Sequence, residues 1–222
     1  MRHNRIVLAM SGGSGAIYGI RLLERLLAAG IQIHLCMSGA AEQVLRDELD
    51  VALDEFDEHA FLNEVRDVLD GYGFRPQDAL LRGRLVRHDI GDWSAGIASG
   101  SFPTDGMVVC PCSMNTVAAI AHGISTNLIQ RAADVHLKER RPLVLVPRET
   151  PLSPIQLENL ARCARAGAIV LPASPGWYHR PRTLADLVDF IVARILDHLS
   201  VPHTLSRRWG ESTPGTSTDP GA

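Results

Sequence analysis

The chain has 222 residues, of which 45% are hydrophobic, and its 22 basic and 25 acidic side chains give a net charge of -3 at neutral pH. This length and hydrophobicity allow one buried core, and the balanced charge gives no support for nucleic-acid or membrane binding through bulk charge. No apolar run approaches the roughly 18 residues of a membrane span, and a strand begins almost at once, so we expect neither a span nor a secretory signal.

Four cysteines lie in or next to predicted core elements: Cys36, Cys110, Cys112 and Cys163. Buried thiols of this kind are typical of a cytosolic protein. The spacing Cys110-x-Cys112 could serve a metal, but no second Cys/His pair at ligand spacing accompanies it. We therefore expect a cytoplasmic protein without a metal site.

The first predicted strand, 5–10, and the first predicted helix, 16–29, enclose the glycine-rich turn Ser11-Gly12-Gly13-Ser14-Gly15. A strand, a glycine-rich turn and a helix can hold an anion at the helix N-terminus. The alternative is a tight turn that needs glycine for positive φ. This segment alone leaves both interpretations open.

Two named phosphate motifs fit this turn incompletely. A Walker A loop needs a lysine that is absent here. A dinucleotide fingerprint needs a third glycine where Tyr18 stands, and the next strand, 31–37, ends at Ser38 without an acidic residue for ribose. The pattern therefore favours a mononucleotide phosphate over NAD.

The next part of the chain predicts helices and one short strand. A helix is predicted for 38–49, with its first residue, a serine, as N-cap. Residues 50–81 are acidic and helical in pattern, which we interpret as a helical insertion with a solvated face. A strand is predicted for 84–88, and it is followed by Trp93 and the small polar loop 98–101.

The centre of the chain predicts two buried strands, 107–110 and 143–146, with one helical segment between them. Short apolar runs without polar alternation suit strands that are covered on both faces of a parallel sheet. The polar residues that follow these runs are Ser113, Asn115, Thr116, Arg148 and Glu149. Because ligands bind beyond the carboxyl ends of parallel strands, both groups fall where a site is expected.

The C-terminal part predicts a capped helix from Ser153, a strand at 168–171, a loop at 172–181 and a helix at 183–199. Strands that alternate with helices predict an α/β fold, a three-layer, doubly wound, mostly parallel sheet of flavodoxin-like or Rossmann-like type. We expect one domain over 1–209, and the composition of 210–222 predicts a disordered tail.

Several cations lie near the ends of predicted elements: Arg131, Lys138, Arg148 and Arg194. Each one could be a solvated charge. If an arginine, a lysine and a tyrosine converge on one pocket, they would bind phosphate well. Glu149 would then be an acid or base in a positive setting.

The sequence resembles the UbiX-type flavin prenyltransferases, within the flavodoxin-like flavoproteins. The segments that carry the resemblance are SGGSGAIYG (11–19), ASGSFPTDGMVVCPCSMNT (98–116), NLIQRAADVHLKERRPLVLVPRETP (127–151), GAIVLPASPGWYHRP (167–181) and DLVDFIVARILD (186–197). The resemblance runs from Arg5 to about Trp209, and the KERRPLVLVPRE run is highly specific.

The resemblance implies an enzyme that joins a dimethylallyl group from dimethylallyl monophosphate to reduced FMN, first at N5 and then by ring closure at C6, without a metal. The prenylated FMN would serve a UbiD-type decarboxylase. The family forms large homo-oligomers, so a dodecamer is expected by resemblance. The residues implied to contact FMN are Gly12, Gly13, Ser14, Ser38, Ser113, Met114, Asn115, Thr116 and Arg148.

The resemblance also implies a donor site and a catalytic set. The prenyl phosphate would be held by Arg131, Lys138, Tyr178 and Arg194, with Glu48 near the site. Glu149 would transfer protons, Trp93 would face the allylic cation through its π surface, and Ser14 and Lys138 would complete the catalytic set. The Trp93 assignment depends on the alignment across 50–81, which is longer than in compact family members.

Two other functions fit parts of the sequence. A flavin-dependent cysteine-peptide decarboxylase shares the fold, and His88 with Trp93 partly matches the His and Trp of those relatives, but their P-A-M-N-type motif is absent. A non-catalytic flavin carrier would have no use for a second phosphate site. The sequence does not determine which decarboxylase is served, or whether the donor is strictly a monophosphate.

Overall fold

The computed structural model describes residues 3–52, 56–74 and 83–205. Within them lie six strands: β1 (Arg5–Met10), β2 (Gln32–Met37), β3 (Arg84–His88), β4 (Gly106–Cys112), β5 (Leu143–Pro147) and β6 (Ile169–Val170). The same residues form seven α-helices: α1 (Ala16–Ala28), α2 (Gly39–Leu49), α3 (Glu58–Gly71), α4 (Met114–Ala121), α5 (Leu128–Lys138), α6 (Pro154–Arg165) and α7 (Leu184–His198). The predicted tail, 210–222, lies outside the described residues.

The six strands form one sheet in the order β3-β2-β1-β4-β5-β6, and their pairings are parallel. Without the edge strand β3, this is the strand order of the flavodoxin-like fold. The chain moves outward from β1 to β3 and then crosses back to β4, on the other side of β1. The switch point between β1 and β4 is where such folds bind their ligands.

Helices cover both faces of the sheet, which confirms the predicted three-layer architecture. Along β1, Leu8 belongs to the core that faces α1 and α7, whereas Val7 belongs to the core that faces α4 and α5. Successive side chains of a strand point to opposite faces, so a strand covered on both sides is apolar throughout. Among the described helices, none is both long and apolar enough to cross a bilayer.

The connection from β4 to β5 contains two helices, α4 and α5, where the sequence predicted a single helical segment. The chain leaves α4 at Gly123, whose φ of 67° is in the left-handed region that glycine tolerates. Asn127 then starts α5 anew, because its side chain accepts the backbone N–H of Gln130 at 3.0 Å. A local glycine and a new cap therefore divide the predicted helix.

The acidic region 50–81 contributes to the core as well as to the surface. Asp57 caps α3, and Phe61, Val65 and Leu69 recur at helical spacing on its buried face. The remaining surface of α3 is mostly exposed, as the sequence predicted. The division into one domain over 1–209 with 50–81 as an insertion stays a prediction.

Candidate functional site

Ser11 joins the turn after β1 to the end of β4 at the switch point. Its backbone N–H donates to the carbonyl of Pro111 at 3.0 Å, and its side-chain oxygen accepts the backbone N–H of Ser113 at 2.8 Å. The side chain is only 2% exposed, so these bonds are shielded from water. Ser11 begins the Ser-Gly-Gly run, but the sequence predicted no role for this residue.

Gly12 and Gly13 form a cradle that has no room for side chains. A Cβ atom at Gly12 would lie 2.6 Å from the Cβ of Ala40, and one at Gly13 would lie 3.3 Å from the carbonyl carbon of Cys112. The turn can therefore approach both the first turn of α2 and the end of β4. Backbone exposed in this way lets a ligand bind closely, as phosphate-binding turns require.

Two helices start beside this cradle with serine caps. Ser38 accepts the backbone N–H of Ala41 at 3.1 Å, and Ser113 accepts that of Thr116 at 3.3 Å. The positive ends of the α2 and α4 dipoles therefore lie at the carboxyl edge of the sheet. Of the neighbouring predicted cofactor residues, Asn115 is exposed, whereas Met114 and Thr116 are nearly buried.

The start of α1 is occupied by a carboxylate of the chain itself. Glu48 accepts the backbone N–H groups of Gly15 and Ala16, each at 2.9 Å. Gly15 has a φ of +103°, a conformation that favours glycine. A carboxylate of the chain itself therefore occupies the helix start at which the sequence allowed either an anion or a tight turn.

The end of β5 brings two further predicted residues to this edge. Arg148 donates from Nε to the carbonyl of Ser14 at 3.4 Å, so it contacts the glycine-rich turn. Glu149 Oε1 accepts the backbone N–H of Thr150 at 3.1 Å, and its Oε2 lies 3.5 Å from Nε2 of Gln156. Both Arg148 and Glu149 are exposed, which leaves them open to a ligand.

Lys138 and Arg131 both lie on α5. Lys138 ends α5, which leads into the amino end of β5, whereas Arg148 follows the carboxyl end of that strand. Five strand residues span roughly 16 Å. Lys138 forms an ion pair with Glu139, which holds the pKa of the Glu139 carboxyl below its ordinary value. Arg131 donates to the carbonyl of Ala98 at 3.0 Å.

Arg194 lies on the exposed side of α7, and Tyr178 lies in the loop that precedes this helix. The Tyr178 ring lies 5.8 Å from the ring of Phe190, and Arg194 follows Phe190 by one helical turn. Arg194 donates to Asp197 at 2.9 Å. One chain therefore presents the four predicted donor-phosphate residues on two separate surfaces, because α5 and α7 cover opposite faces of the sheet.

Trp93 lies beyond β3, in a turn where it is 52% exposed. β3 is two strands away from β1, so the strand that leads to Trp93 lies roughly 10 Å across the sheet from the strand before the glycine-rich turn.

The chain is similar to known proteins over most of its length. A family model described as Flavoprotein matches residues 1–196. The flavin prenyltransferase UbiX of Pseudomonas aeruginosa is 48% identical over 209 residues, which cover 93% of this chain and 94% of that protein. The chain belongs to the UbiX family of flavin prenyltransferases. Its UbiX relative from Alkalihalophilus pseudofirmus is 46% identical over 206 residues, which cover 93% of this chain and 96% of that protein.

Solved structures of the UbiX family share the fold over nearly the whole chain. A crystal structure of AnUbiX in complex with FMN and dimethylallyl pyrophosphate has a TM-score of 0.78 at 40% identity and covers 96% of this chain and 100% of its own. A dodecameric FMN-dependent UbiX-like decarboxylase from Escherichia coli O157:H7 has a TM-score of 0.75 at 38% identity and covers 93% and 100%. The predicted family and the flavodoxin-like fold are confirmed.

The alternative of a cysteine decarboxylase has weaker support. The cysteine decarboxylase TvaF has a TM-score of 0.50 at 19% identity and covers 75% of this chain and 88% of its own. At that identity, the likeness to this UbiX-family chain extends to the fold alone.

Proposed function

We propose that the chain is a flavin prenyltransferase that joins the dimethylallyl group of dimethylallyl monophosphate to reduced FMN and yields prenylated FMN. The observation that carries the proposal is the 48% identity to a flavin prenyltransferase over 93% of the chain. The site supports it, because Ser11 joins the turn after β1 to Ser113, and Arg148 contacts the same turn.

The glycine cradle fits FMN, since it leaves backbone free of side chains beside two helix starts. The phosphate would bind the amides of the turn and of the α2 start, and Arg148 would add charge-assisted hydrogen bonds. When bound and reduced, FMN supplies the nucleophilic N5 and C6 atoms of its ring. The residues proposed to hold it are Gly12, Gly13, Ser14, Ser38, Ser113, Met114, Asn115, Thr116 and Arg148.

The donor phosphate would be held by Arg131, Lys138, Tyr178 and Arg194. Negative charge develops on the phosphate as its bond to the allylic carbon breaks. Preorganised cations stabilise that charge more in the transition state than in the ground state. Because Lys138 and Arg194 lie on separate surfaces, we propose that different subunits complete one site. A large homo-oligomer would do this, as in the relative described as dodecameric.

Glu149 is proposed to accept and return the proton at the reacting flavin ring. Its carboxylate is exposed at the end of β5, where Oε1 accepts the backbone N–H of Thr150 at 3.1 Å. Proton transfer by a positioned side chain typically contributes about 10²–10⁴-fold in rate. The roles of Ser14 in catalysis and of Trp93 beside the allylic cation belong to the same proposal.

We further propose that the protein acts in the cytoplasm and delivers its product to a UbiD-type decarboxylase. The four cysteines are free and buried, which suits a reducing compartment. Burial raises the pKa of the Cys110 and Cys112 thiols, so they stay protonated and unreactive at neutral pH.

The decisive experiment mixes the purified protein with reduced FMN and dimethylallyl monophosphate, and weighs the extracted flavin by mass spectrometry. We expect a flavin heavier by one five-carbon unit. A parallel sample with dimethylallyl diphosphate tests the choice of donor. An unchanged flavin in both samples, together with loss of CO₂ from a peptide that ends in cysteine, would replace the proposal by the decarboxylase alternative.

A further inference from the structure

Arg141, between α5 and β5, holds the 98–104 segment with both ends of its guanidinium. This segment connects the turn around Gly96–Ala98 to β4. Nη1 donates to the carbonyl of Phe102 at 2.7 Å, and Nη2 donates to the carbonyl of Gly100 at 2.6 Å. A planar guanidinium has the fixed fork that can bind two acceptors at once, which a lysine ammonium lacks.

Side chains of α5 hold the two ends of the same segment. Arg131 Nε donates to the carbonyl of Ala98 at 3.0 Å. At the other end, the Thr104 hydroxyl lies 2.8 Å from His136 Nε2. His136 Nδ1 lies 2.7 Å from the carbonyl of Ala132 and donates to it, so Nε2 accepts the proton of Thr104. With both ends held, the position of the middle of the segment depends on Arg141.

The middle of the segment presents hydrogen-bond donors beside Lys138. The hydroxyl groups of Ser99 and Ser101 lie 2.9 Å apart, and both serines are exposed. Gly100 lies between them, and a Cβ atom built on it would be 2.8 Å from Nζ of Lys138 and still closer to Oε1 of Glu139, the ion-pair partner of that lysine. Two hydroxyl groups, one ammonium and its paired carboxylate thus lie around a residue without a side chain. The hydroxyl groups and the ammonium are donors that match the oxygens of a phosphate monoester, which would take the place of the Glu139 carboxylate.

We propose that Arg141 is a positioning residue that fixes Gly100 and its flanking serines beside Lys138, where they bind the phosphate of the prenyl donor. The proposal rests on the proposed function, in which Lys138 binds that phosphate. Arg141 acts through the backbone of the 98–104 segment, because two of its nitrogen atoms already donate hydrogen bonds to carbonyl oxygens there. It is therefore distinct from the cations that touch the donor.

The test compares Arg141→Lys and Arg141→Ala with wild type. Calorimetry on the FMN-loaded protein measures the Kd of dimethylallyl monophosphate, and a titration of the FMN-free protein, followed through the flavin spectrum, measures the Kd of FMN. Hydrogen bonds from a charged donor contribute about 1.5–3 kcal/mol, so we expect the donor Kd to rise roughly tenfold or more in both variants. The FMN Kd should not change, and millimolar guanidinium should restore donor binding in Arg141→Ala.

The neighbouring Arg140 offers a matched control. It is exposed and has a φ of 54°, a conformation that asparagine accepts, so Arg140→Asn removes a nearby positive charge without altering the segment. We expect a wild-type donor Kd in this variant. Equal weakening in Arg140→Asn and Arg141→Lys would assign the effect to charge and overturn the positioning role.

Three other results would overturn the proposal: an unchanged donor Kd in both Arg141 variants, a parallel loss of FMN and donor binding, or no donor binding by wild type. A wild-type protein that binds the donor but yields no prenylated flavin would instead contradict the proposed function. The comparison of donor Kd values would still decide the role of Arg141.

Discussion

The carboxylate of Glu48 accepts the backbone N–H of Gly15, at 2.9 Å to Oε2 and 3.2 Å to Oε1. Gly15 is the N-cap of α1 and has no side chain to cap the helix, so a residue near the end of α2 does so. The positive end of the α1 dipole favours a negative charge at this point. The contact also holds α2 against the turn that forms the glycine cradle.

Glu48→Gln should weaken this cap, because the amide keeps the shape of the side chain but loses its charge. We expect a loss of about 0.5–1 kcal/mol in the free energy of unfolding, measured with urea, and weaker FMN binding. Asp47→Asn changes the adjacent exposed carboxylate and should leave FMN binding unaltered. If Glu48→Gln matches wild type in both measurements, the cap does not support the cradle.

Gly12→Ala should impair FMN binding more than it impairs folding. The new Cβ would lie 2.6 Å from the Cβ of Ala40, so the turn must shift. Overpacking costs about 1–3 kcal/mol. The free turn avoids this cost by moving away from the position that FMN requires, so the cost falls on binding and raises the Kd of FMN roughly tenfold or more. Gly71→Ala is the matched control, since nothing lies within 4 Å of the position of its Cβ and it lies at the end of α3, outside the cradle. Equal FMN affinity in the two variants would argue against the cradle.

Glu149→Gln should keep FMN bound but lose prenyl transfer, or stop after the first carbon–nitrogen bond. The amide retains a hydrogen-bond acceptor for the Thr150 N–H but cannot take up the proton. A loss of about 10²–10⁴-fold in rate is expected from general acid–base catalysis. Mass spectrometry of the flavin over time measures the rate of transfer. Glu158→Gln, on the exposed side of α6, is the control and should keep the wild-type rate. Full turnover in Glu149→Gln would place the proton elsewhere.

Lys138→Ala and Arg194→Ala should each slow prenyl transfer by about 10²-fold or more, because each removes a cation from the leaving phosphate. The flavin spectrum should stay that of wild type, since neither residue lies at the glycine cradle. Arg165→Ala, which removes an exposed cation from the end of α6, should retain the wild-type rate.

We also expect EDTA to have no effect on the wild-type rate, because the protein's own cations supply the positive charge. If EDTA abolishes transfer and added Mg²⁺ restores it, a metal carries this charge instead.

The protein should lose stability in mild acid because burial lowers the pKa of His136 from 6.5 to about 4. Folded His136 stays neutral where the unfolded chain already binds a proton. The contribution of His136 to the free energy of unfolding is therefore complete above pH 6.5 and is lost as the pH falls towards about 4. The full loss in the free energy of unfolding is about 3 kcal/mol.

Urea unfolding at several pH values between about 7.5 and about 4 measures this loss. His136→Gln should flatten the pH dependence, because the amide does not titrate. His34, whose pKa is also lowered to about 4 by burial and by the nearby His88, retains its own part of the slope. An unchanged slope in His136→Gln would contradict the prediction.

The sequence by itself determined the local elements and their starts. Uniform apolar runs identified the buried strands, and the predicted caps Ser38 and Ser153 each accept a backbone N–H in the structure. These signals lie within a few residues of the element they control, so they can be read from a short window. The break at Gly123 was missed although the run from Gly123 to Asn127 contains the Gly, Ser, Thr and Asn residues that mark a loop and a new helix cap.

Only the tertiary structure decided which of these elements meet. Ser11 and Ser113 are 102 residues apart in the chain, and their hydrogen bond exists because β1 and β4 are neighbours in the sheet. By contrast, Lys138 and Arg148 are close in sequence, yet a whole strand separates them. Periodicity and motifs carry no information on strand order, because that order is set by how helices and strands pack around the shared core.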